Sequence, residues 1–446
     1  MTFAKNYLTL HIGNVGLNYE FKRTECNNFV SIFTNSIIKN INSLTNIYKM
    51  PMKKLFLSLL LATSVAIPFQ ATPYKKIVFP DIPGYKTLKG DFHIHTVFSD
   101  ATVWPTTRVQ EALMEGLDVI CITDHAETRL QKNILNGYFN PEQVDRNTSY
   151  EIAKKAGGKN LIVIRGAEIT RGMPPGHWNC LFTKDNNAIC KESEKFNDNE
   201  VKAMEAGLKE ARAQGAFTMW NHPMWEKQAP DTTIMWPEHK KLLKEGYMKG
   251  IEVVNHLCGY SPESFQWTLD NNLTMFANSD CHSPFFTMVD YENGDHRPVT
   301  LVFAKEKNAS GVREALDNQR TAVFAYGNVY GREDFVKPLF EESVKVENLK
   351  VSASEMSFTL HNYTTMTVEL NKGKGSEKFY YPRYISIPPM GTVTVKVRPL
   401  LVNNKSQKFT PDEKIVANFK VMNFLVGPDK PLNFSVEGVA PQPKKK

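Results

Sequence analysis

Nine side chains of metal-ligating type recur at one kind of position, the end of a short apolar run or the loop just after it. In Gly90-Asp91-Phe92-His93-Ile94-His95 two imidazoles stand two residues apart. Residues i and i+2 of a strand point the same way, so His93 and His95 share a face. Asp100 follows five residues later. The run Asp118 to Thr123 leads into Asp124 and His125, and Leu161 to Ala167 ends in Glu168, with His177 in the Gly/Pro loop beyond. Ala216 to Trp220 ends in Asn221-His222, and Thr274 to Ala277 in Asn278-Ser279-Asp280-Cys281-His282. Six imidazoles and three carboxylates on one rim cannot form a hydrophobic core. The lack of cysteine at the main positions argues against a closed structural zinc site. Nitrogen and oxygen donors in this number suit two or three divalent ions of the Zn, Mn or Fe type. A carboxylate such as Glu168 can bridge two ions, an arrangement used for phosphoryl and acyl hydrolysis.

Alternating elements must carry these residues. From about residue 88 to 326 short apolar runs alternate with helical patterns, as in βα units on a parallel sheet. Strands are expected over 92–96, 118–123, 161–167, 216–220, 250–254, 273–277 and 299–304, and helices over stretches such as 105–115, 200–213 and 310–318. Seven such units can close a distorted TIM-like (β/α)7 barrel, whose active site lies at the C-terminal ends of the strands. After Pro338 the segments 357–361, 367–370, 392–397 and 419–426 are β-rich, separated by Asn, Gly and Pro turns. The α/β domain is therefore expected over 72–335, and a small antiparallel β-sandwich, immunoglobulin-like in shape, over 340–446. The sandwich has no cluster of ligand-type residues, so packing, homo-oligomerisation or substrate delivery is its expected role.

The net charge of +7 is unevenly spread. Residues 1–49 hold five Lys/Arg against two Asp/Glu (+3), and residues 50–71 add Lys53 and Lys54 (+2). The remainder is 47 against 45, and Lys444, Lys445 and Lys446 more than cover that difference, so no strong nucleic-acid surface is expected. Met50 to Ala71 reads as a secretory signal, with its basic start, an apolar run from Leu55 to Ile67 too short to span a bilayer, and small residues before Ala66 or Ala71 as cleavage points. It predicts a periplasmic or secreted protein with no transmembrane segment after cleavage. Residues 1–49 are Asn-rich and without sustained periodicity, and are expected to be a disordered over-extension of the reading frame. Five cysteines follow the signal, an odd number without CxxC spacing, and only Cys180 and Cys190 are close enough in sequence to suggest a bond.

The series HIH, SD, TDH, GAE, a following His, NHP and SDCH, in this order, resembles the polymerase and histidinol phosphatase (PHP) superfamily of metal-dependent phosphoesterases, over roughly residues 88–330. The signal and the β-rich C-terminal region are most similar to secreted phosphodiesterases of the Bacteroidetes type. The resemblance implies a first metal on His93, His95, Glu168 and Asp280, a second on Glu168, His177 and His222, and a third on Asp100, His125 and His282. Many members of the family carry a histidine where this chain has Asp100, so the third position is expected to be weaker or empty. The implied reaction is in-line attack on a phosphodiester by a metal-bridging hydroxide, with His282 or a water as the acid. The alternatives are a phosphomonoesterase of the histidinol phosphatase kind and a non-catalytic, metal-containing envelope binding protein.

Further expectations concern residues near the rim. Arg171 is the first choice for a phosphate clamp, ahead of Arg129 and Arg297. Trp178, Trp220 and Trp225 either stack a substrate ring or pack the rim. His256 is expected near the ligands without being one, and His239, His296, His361 and His11 at the surface. Cys281 should point away from Asp280 and His282.

Overall fold

The computed structural model describes residues 7–11, 18–22, 75–129, 145–226, 229 and 232–443. Residues 1–72 form a unit of their own. In it, strands β1 (Tyr7–His11) and β2 (Asn18–Lys22) pair antiparallel, and the rest of residues 1–49 lies outside the described residues. Tyr, Leu and Thr in the first segment and Tyr and Phe in the second favour extended pairing. The expected signal over 50–71 lies outside the described residues, as do Lys444, Lys445 and Lys446.

Residues 73–446 form the second unit. Strands β3 (Lys86–Ile94), β4 (Val119–Ile122) and β5 (Ile162–Ile169) are parallel neighbours. β6 (Trp178–Leu181) pairs antiparallel with β5 and with β7 (Phe217–Trp220). β8 (Gly250–Asn255) then runs parallel to β7 and to β10 (Thr274–Asn278), while the short β9 (Gly259–Tyr260) folds back on β8. On the other side of β3, strands β11 (Val299–Ala304), β12 (Thr321–Ala325) and β13 (Asn328–Gly331) continue antiparallel. Every residue of β4, β7, β8, β10, β11 and β12 is buried, which is the pattern of strands covered on both faces.

The curled sheet closes through isolated contacts rather than a full ladder. Asn278 Oδ1 accepts from Phe92 N (2.8 Å) and Thr300 Oγ1 from Ala277 N (3.0 Å). Past the strand ends, Asp280 N donates to His93 O (2.9 Å) and His95 N to Cys281 O (3.3 Å). The result is the expected distorted barrel, with two changes. β6 was hidden within what reads as a loop after His177. β11 is antiparallel to β3 because no helix crosses between β10 and β11, and a chain that stays at the rim must run back down.

Helices cover the outside. Pro105–Glu115 starts on a proline and ends at Gly116, whose φ of +77° suits glycine at a helix C-terminus. Glu200–Ala213 is capped by Asn199 accepting from Lys202 N, and buries Ala203, Met204, Gly207, Leu208 and Ala211, a stripe at helical spacing. Helix Glu333–Ser343 contains Pro338 and runs straight through the expected boundary between the domains.

Beyond it, β14 (Val344–Val351), β15 (Met356–Asn362), β19 (Thr392–Pro399) and β17 (Phe379–Tyr380) form one antiparallel sheet. β16 (Val368–Lys372), β18 (Tyr384–Ile387), β20 (Lys414–Leu425) and β21 (Pro431–Val439) form the facing layer. Alternation sets the core: Met356, Phe358 and Leu360 of β15 are buried, as are Ile415, Ala417, Phe419 and Val421 of β20. β20 also pairs with β13, with Val329 opposite Phe424, so the barrel sheet continues into the sandwich. Phe340 packs edge-on against Phe424 and Phe434 at 5.4 and 5.0 Å between centroids, sealing the junction. No helix among the described residues is long and apolar enough to cross a membrane.

Candidate metal centre

All nine expected ligands meet at the C-terminal ends of β3, β4, β5, β7 and β10. Glu168 is the hub. Its Oε1 lies 3.2 Å from His93 Nε2, 3.1 Å from His177 Nδ1 and 3.5 Å from His222 Nε2, and its Oε2 lies 2.8 Å from His125 Nδ1 and 3.5 Å from His95 Nε2. Asp280 Oδ1 lies 3.3 Å from His93 Nε2 and 3.1 Å from His95 Nε2. Asp100 faces His125 Nε2 at 3.2 Å and His282 Nε2 at 3.3 Å. Donor atoms within 4.8 Å of one another fall into four groups: His95, Asp100, His125 and His282; His93, Glu168 and His222; His93, His95 and Asp280; and His125, Glu168 and His177. The aspartate at position 100 thus stands with three imidazoles.

The donor set fits metal rather than a hydrogen-bond network. Two ligands about 2.1 Å from one ion, at tetrahedral or octahedral angles, stand about 3.0–3.4 Å apart, which spans most of the separations above. Moreover, His93 Nε2, His95 Nε2, Glu168 Oε2 and Asp100 Oδ1, which face the other ligands, are buried without a hydrogen-bond partner. Each such atom costs about 1–3 kcal/mol unless something satisfies it, and divalent ions would satisfy them together. Two ligands, His222 (φ +25°) and Asp280 (φ +51°), also hold left-handed backbone that non-glycine residues adopt reluctantly.

Surrounding residues aim the ligands. Glu252, buried in the middle of β8, accepts at Oε1 from His93 Nδ1 (2.9 Å) and Asn278 Nδ2 (2.8 Å), and at Oε2 from His222 N (2.8 Å). It thereby fixes the His93 tautomer with Nε2 turned to the centre. Its sequence signal was a lone carboxylate inside the apolar stretch Gly250-Ile251-Glu252-Val253-Val254, which we did not read as functional. Asn221 Nδ2 donates to Glu168 Oε1 (2.7 Å). Asp124 is no ligand: it accepts from Thr96 N (2.7 Å) and Ser99 Oγ (2.7 Å), pinning the loop that carries Asp100. Arg108, buried under the rim, donates to the carbonyls of His95 (2.9 Å), Cys281 (2.8 Å) and Ser283 (2.8 Å), and so ties the end of β3 to that of β10.

The electrostatics follow from burial and mutual charge. Burial alone would raise the Glu168 pKa, but His93, His125 and His177 outweigh it and hold the carboxyl well below the usual range. Burial would lower His93, yet Asp280, Glu252 and Glu168 raise it well above the ordinary value. His95 goes the other way, to about 4, through burial and then the charge of His125. Adjacent imidazoles divide the available protons between them.

Several expectations change. Arg171 gives Nη2 to Ser193 Oγ (2.6 Å) and Glu127 Oε1 (3.2 Å), so it braces the loop after β5 rather than standing free for phosphate. Arg297 is buried against Asp91 (2.8 Å), Glu115 and the Phe285 ring. Arg129 feels Arg146 and Asp124, and its Nε and Nη1 are buried without a hydrogen-bond partner among the described residues. Trp178 and Trp220 are fully buried packing residues, whereas Trp225 is half-buried with its ring 4.3 Å from that of His177. His239 is buried, not at the surface: it stacks on Trp220 (3.9 Å) and its Nε2 bonds Pro175 O (2.9 Å). His296 is half-buried, stacked on Phe324 at 3.9 Å, and the His11 side chain lies outside the description. His256 bonds Met288 O (3.2 Å) beside the centre. All five cysteines are free thiols, Cys180 and Cys190 included, and Cys281 turns to Arg297, away from the ligands.

The PHP domain pattern matches residues 91–259, and the Ig-like domain family DUF5001 matches residues 343–437. Among solved structures, a two-domain protein from Bacteroides vulgatus, described as containing a predicted PHP-like metal-dependent phosphoesterase, is 40% identical with a TM-score of 0.72, and the match covers 82% of this chain and 100% of that one. PsfC from Pseudomonas syringae is 14% identical with a TM-score of 0.34, over 54% of this chain and 92% of its own. No curated protein matches the chain. A relative at 40% identity that spans both domains, together with the PHP match across the strands bearing most of the ligands, places this chain in the family of PHP-like metal-dependent phosphoesterases.

Proposed function

We propose that the centre hydrolyses phosphodiesters. The observation that carries this reading is sparse cationic help: among the described residues, every ion pair of Asp100, Glu168 and Asp280 is with a histidine, Arg108, Arg171 and Arg297 are bonded elsewhere, and Arg129, whose Nε and Nη1 are buried without a hydrogen-bond partner, is left as the candidate clamp. A diester carries one negative charge and needs less cationic help than a dianionic monoester.

When bound, two or three divalent ions would lower the pKa of a coordinated water towards neutrality and offset charge building on the phosphoryl oxygens. His93, His95, Glu168 and Asp280 would hold one, Glu168, His177 and His222 another, and Asp100, His125 and His282 a third. Asn221 orients Glu168, and Glu252 orients His93. The proton donor proposed for the leaving group is His282 where the third position holds no ion, and a water at that position where it does.

Turnover of an aryl phosphodiester against its monoester, with Mn, Zn or Fe supplied, tests the reading. Faster monoester hydrolysis would favour a phosphomonoesterase, and no turnover of either would favour a binding protein. Export to the periplasm or beyond is a separate proposal, resting on residues 50–71. Sequencing the mature N-terminus should find Ile67 or Thr72, and a start within residues 1–49 would overturn it.

A further inference from the structure

Among the described residues, the rim around the centre is lopsided. The ends of β4 and β5 carry Asp124, His125, Glu127 and Thr170, all polar. The loops after β8, β10 and β12 instead leave large apolar side chains in water: Leu257 is 56% exposed, Phe286 46% and Tyr326 49%. Single exposed apolar residues need no explanation, but a group of them beside a reactive centre does.

These residues belong to one neighbourhood. Tyr326 Oη reaches the carbonyls of Asn255 (3.4 Å) and His256 (3.5 Å), and Leu257 N donates to Asn255 Oδ1 (2.9 Å). The His256 ring packs on Phe285, next to Phe286, at 5.4 Å. Asn255 joins this patch to the centre, since its Nδ2 donates to Asp280 Oδ2 (3.2 Å). The loop after β7 adjoins it, a Cβ on Gly259 falling 3.8 Å from the Met224 side chain. That loop carries Trp225, whose half-buried indole stands 4.3 Å from the His177 ring and 5.7 Å from that of His222. An apolar arc therefore begins against two ligands and extends outward.

We infer that this arc is a subsite for a flat, aromatic ester group of the substrate, with Trp225 as its stacking face and Leu257, Phe286 and Tyr326 as its outer wall. The inference rests on the phosphodiester reading above and adds the class of alcohol. A diester has two organic groups, and one of them must lie over the rim when the phosphorus meets the metals. The arc would desolvate an aromatic ring there and offer it offset or edge contacts. The polar residues described at the ends of β4 and β5 would face the other group.

Binding of two analogues with poor alkoxide leaving groups, the benzyl and ethyl monoesters of methylphosphonic acid, tests it by calorimetry on the Mn-loaded full chain, with metal content and ester hydrolysis measured in parallel. The benzyl ester should bind about tenfold more tightly. Trp225→Ala should bring the two within about twofold, and Leu257→Ser, which touches no ligand, should cut the preference about threefold. If Trp225→Ala also loses metal, the Leu257→Ser result decides. Equal binding of the two esters by the wild type, or equal weakening of both in the variants, overturns the subsite even where diesters are hydrolysed. A benzyl preference without diester turnover upholds the subsite and sinks the phosphodiester reading. Failure to bind either ester overturns both.

Discussion

Two buried clusters of charge lie within a few residues of each other, and only one is built for chemistry. Beneath the rim, Arg297 meets Asp91, Glu115 and Ser279, and Arg108 meets Glu111 and three backbone carbonyls. None of these side chains is left with a buried polar atom lacking a partner. At the rim, His93, His95, Asp100 and Glu168 keep such an atom facing the other ligands. Density of buried polar residues is the same signal in both places. What separates them is satisfaction: a paired network holds structure, and an unpaired one waits for ions.

The contrast can be broken from either side. The largest effect should come from Glu168→Gln, which removes the shared carboxylate: bound metal should fall and hydrolysis drop to background, read by metal analysis and turnover. Full activity in that variant would refute the bridging role. Next is Arg297→Met, which strands Asp91 and Glu115. Its cost should be about 3–5 kcal/mol in denaturant unfolding, with unchanged metal stoichiometry in the folded fraction. Glu252→Gln should weaken metal affinity about 10–100-fold, measured by competition with a chelating dye, while thermal stability changes less than for Arg297→Met.

The smallest effect tests His239, a paired histidine outside both clusters. Burial holds its pKa near 4, below the ordinary 6.5. Between those values the unfolded chain binds a proton that the folded chain refuses, so stability rises with pH there. The contribution is complete above pH 6.5 and lost as pH falls towards 4, by about 1–3 kcal/mol. His239→Gln should flatten that part of the stability profile. An unchanged slope would show that other groups set it.

Local sequence determined which residues are the candidate ligands and the strands that end in them. His93, His95, His125, Glu168, His222 and Asp280 could be read because an apolar run, a two-residue period and an abrupt polar stop are local signals. The β-rich segments after Pro338, separated by Asn, Gly and Pro turns, likewise announced the sandwich. Tertiary structure decided what each polar group is paired with. Arg171 reads as a clamp until Glu127 and Ser193 are seen to hold it, and Glu252 reads as a stray carboxylate until His93 closes on it. Cys180 and Cys190 stay free, β6 turns a loop into an antiparallel strand, and Asp100 joins three imidazoles. Pairing depends on residues brought together from distant parts of the chain, 159 positions apart for His93 and Glu252, and no local period encodes that distance.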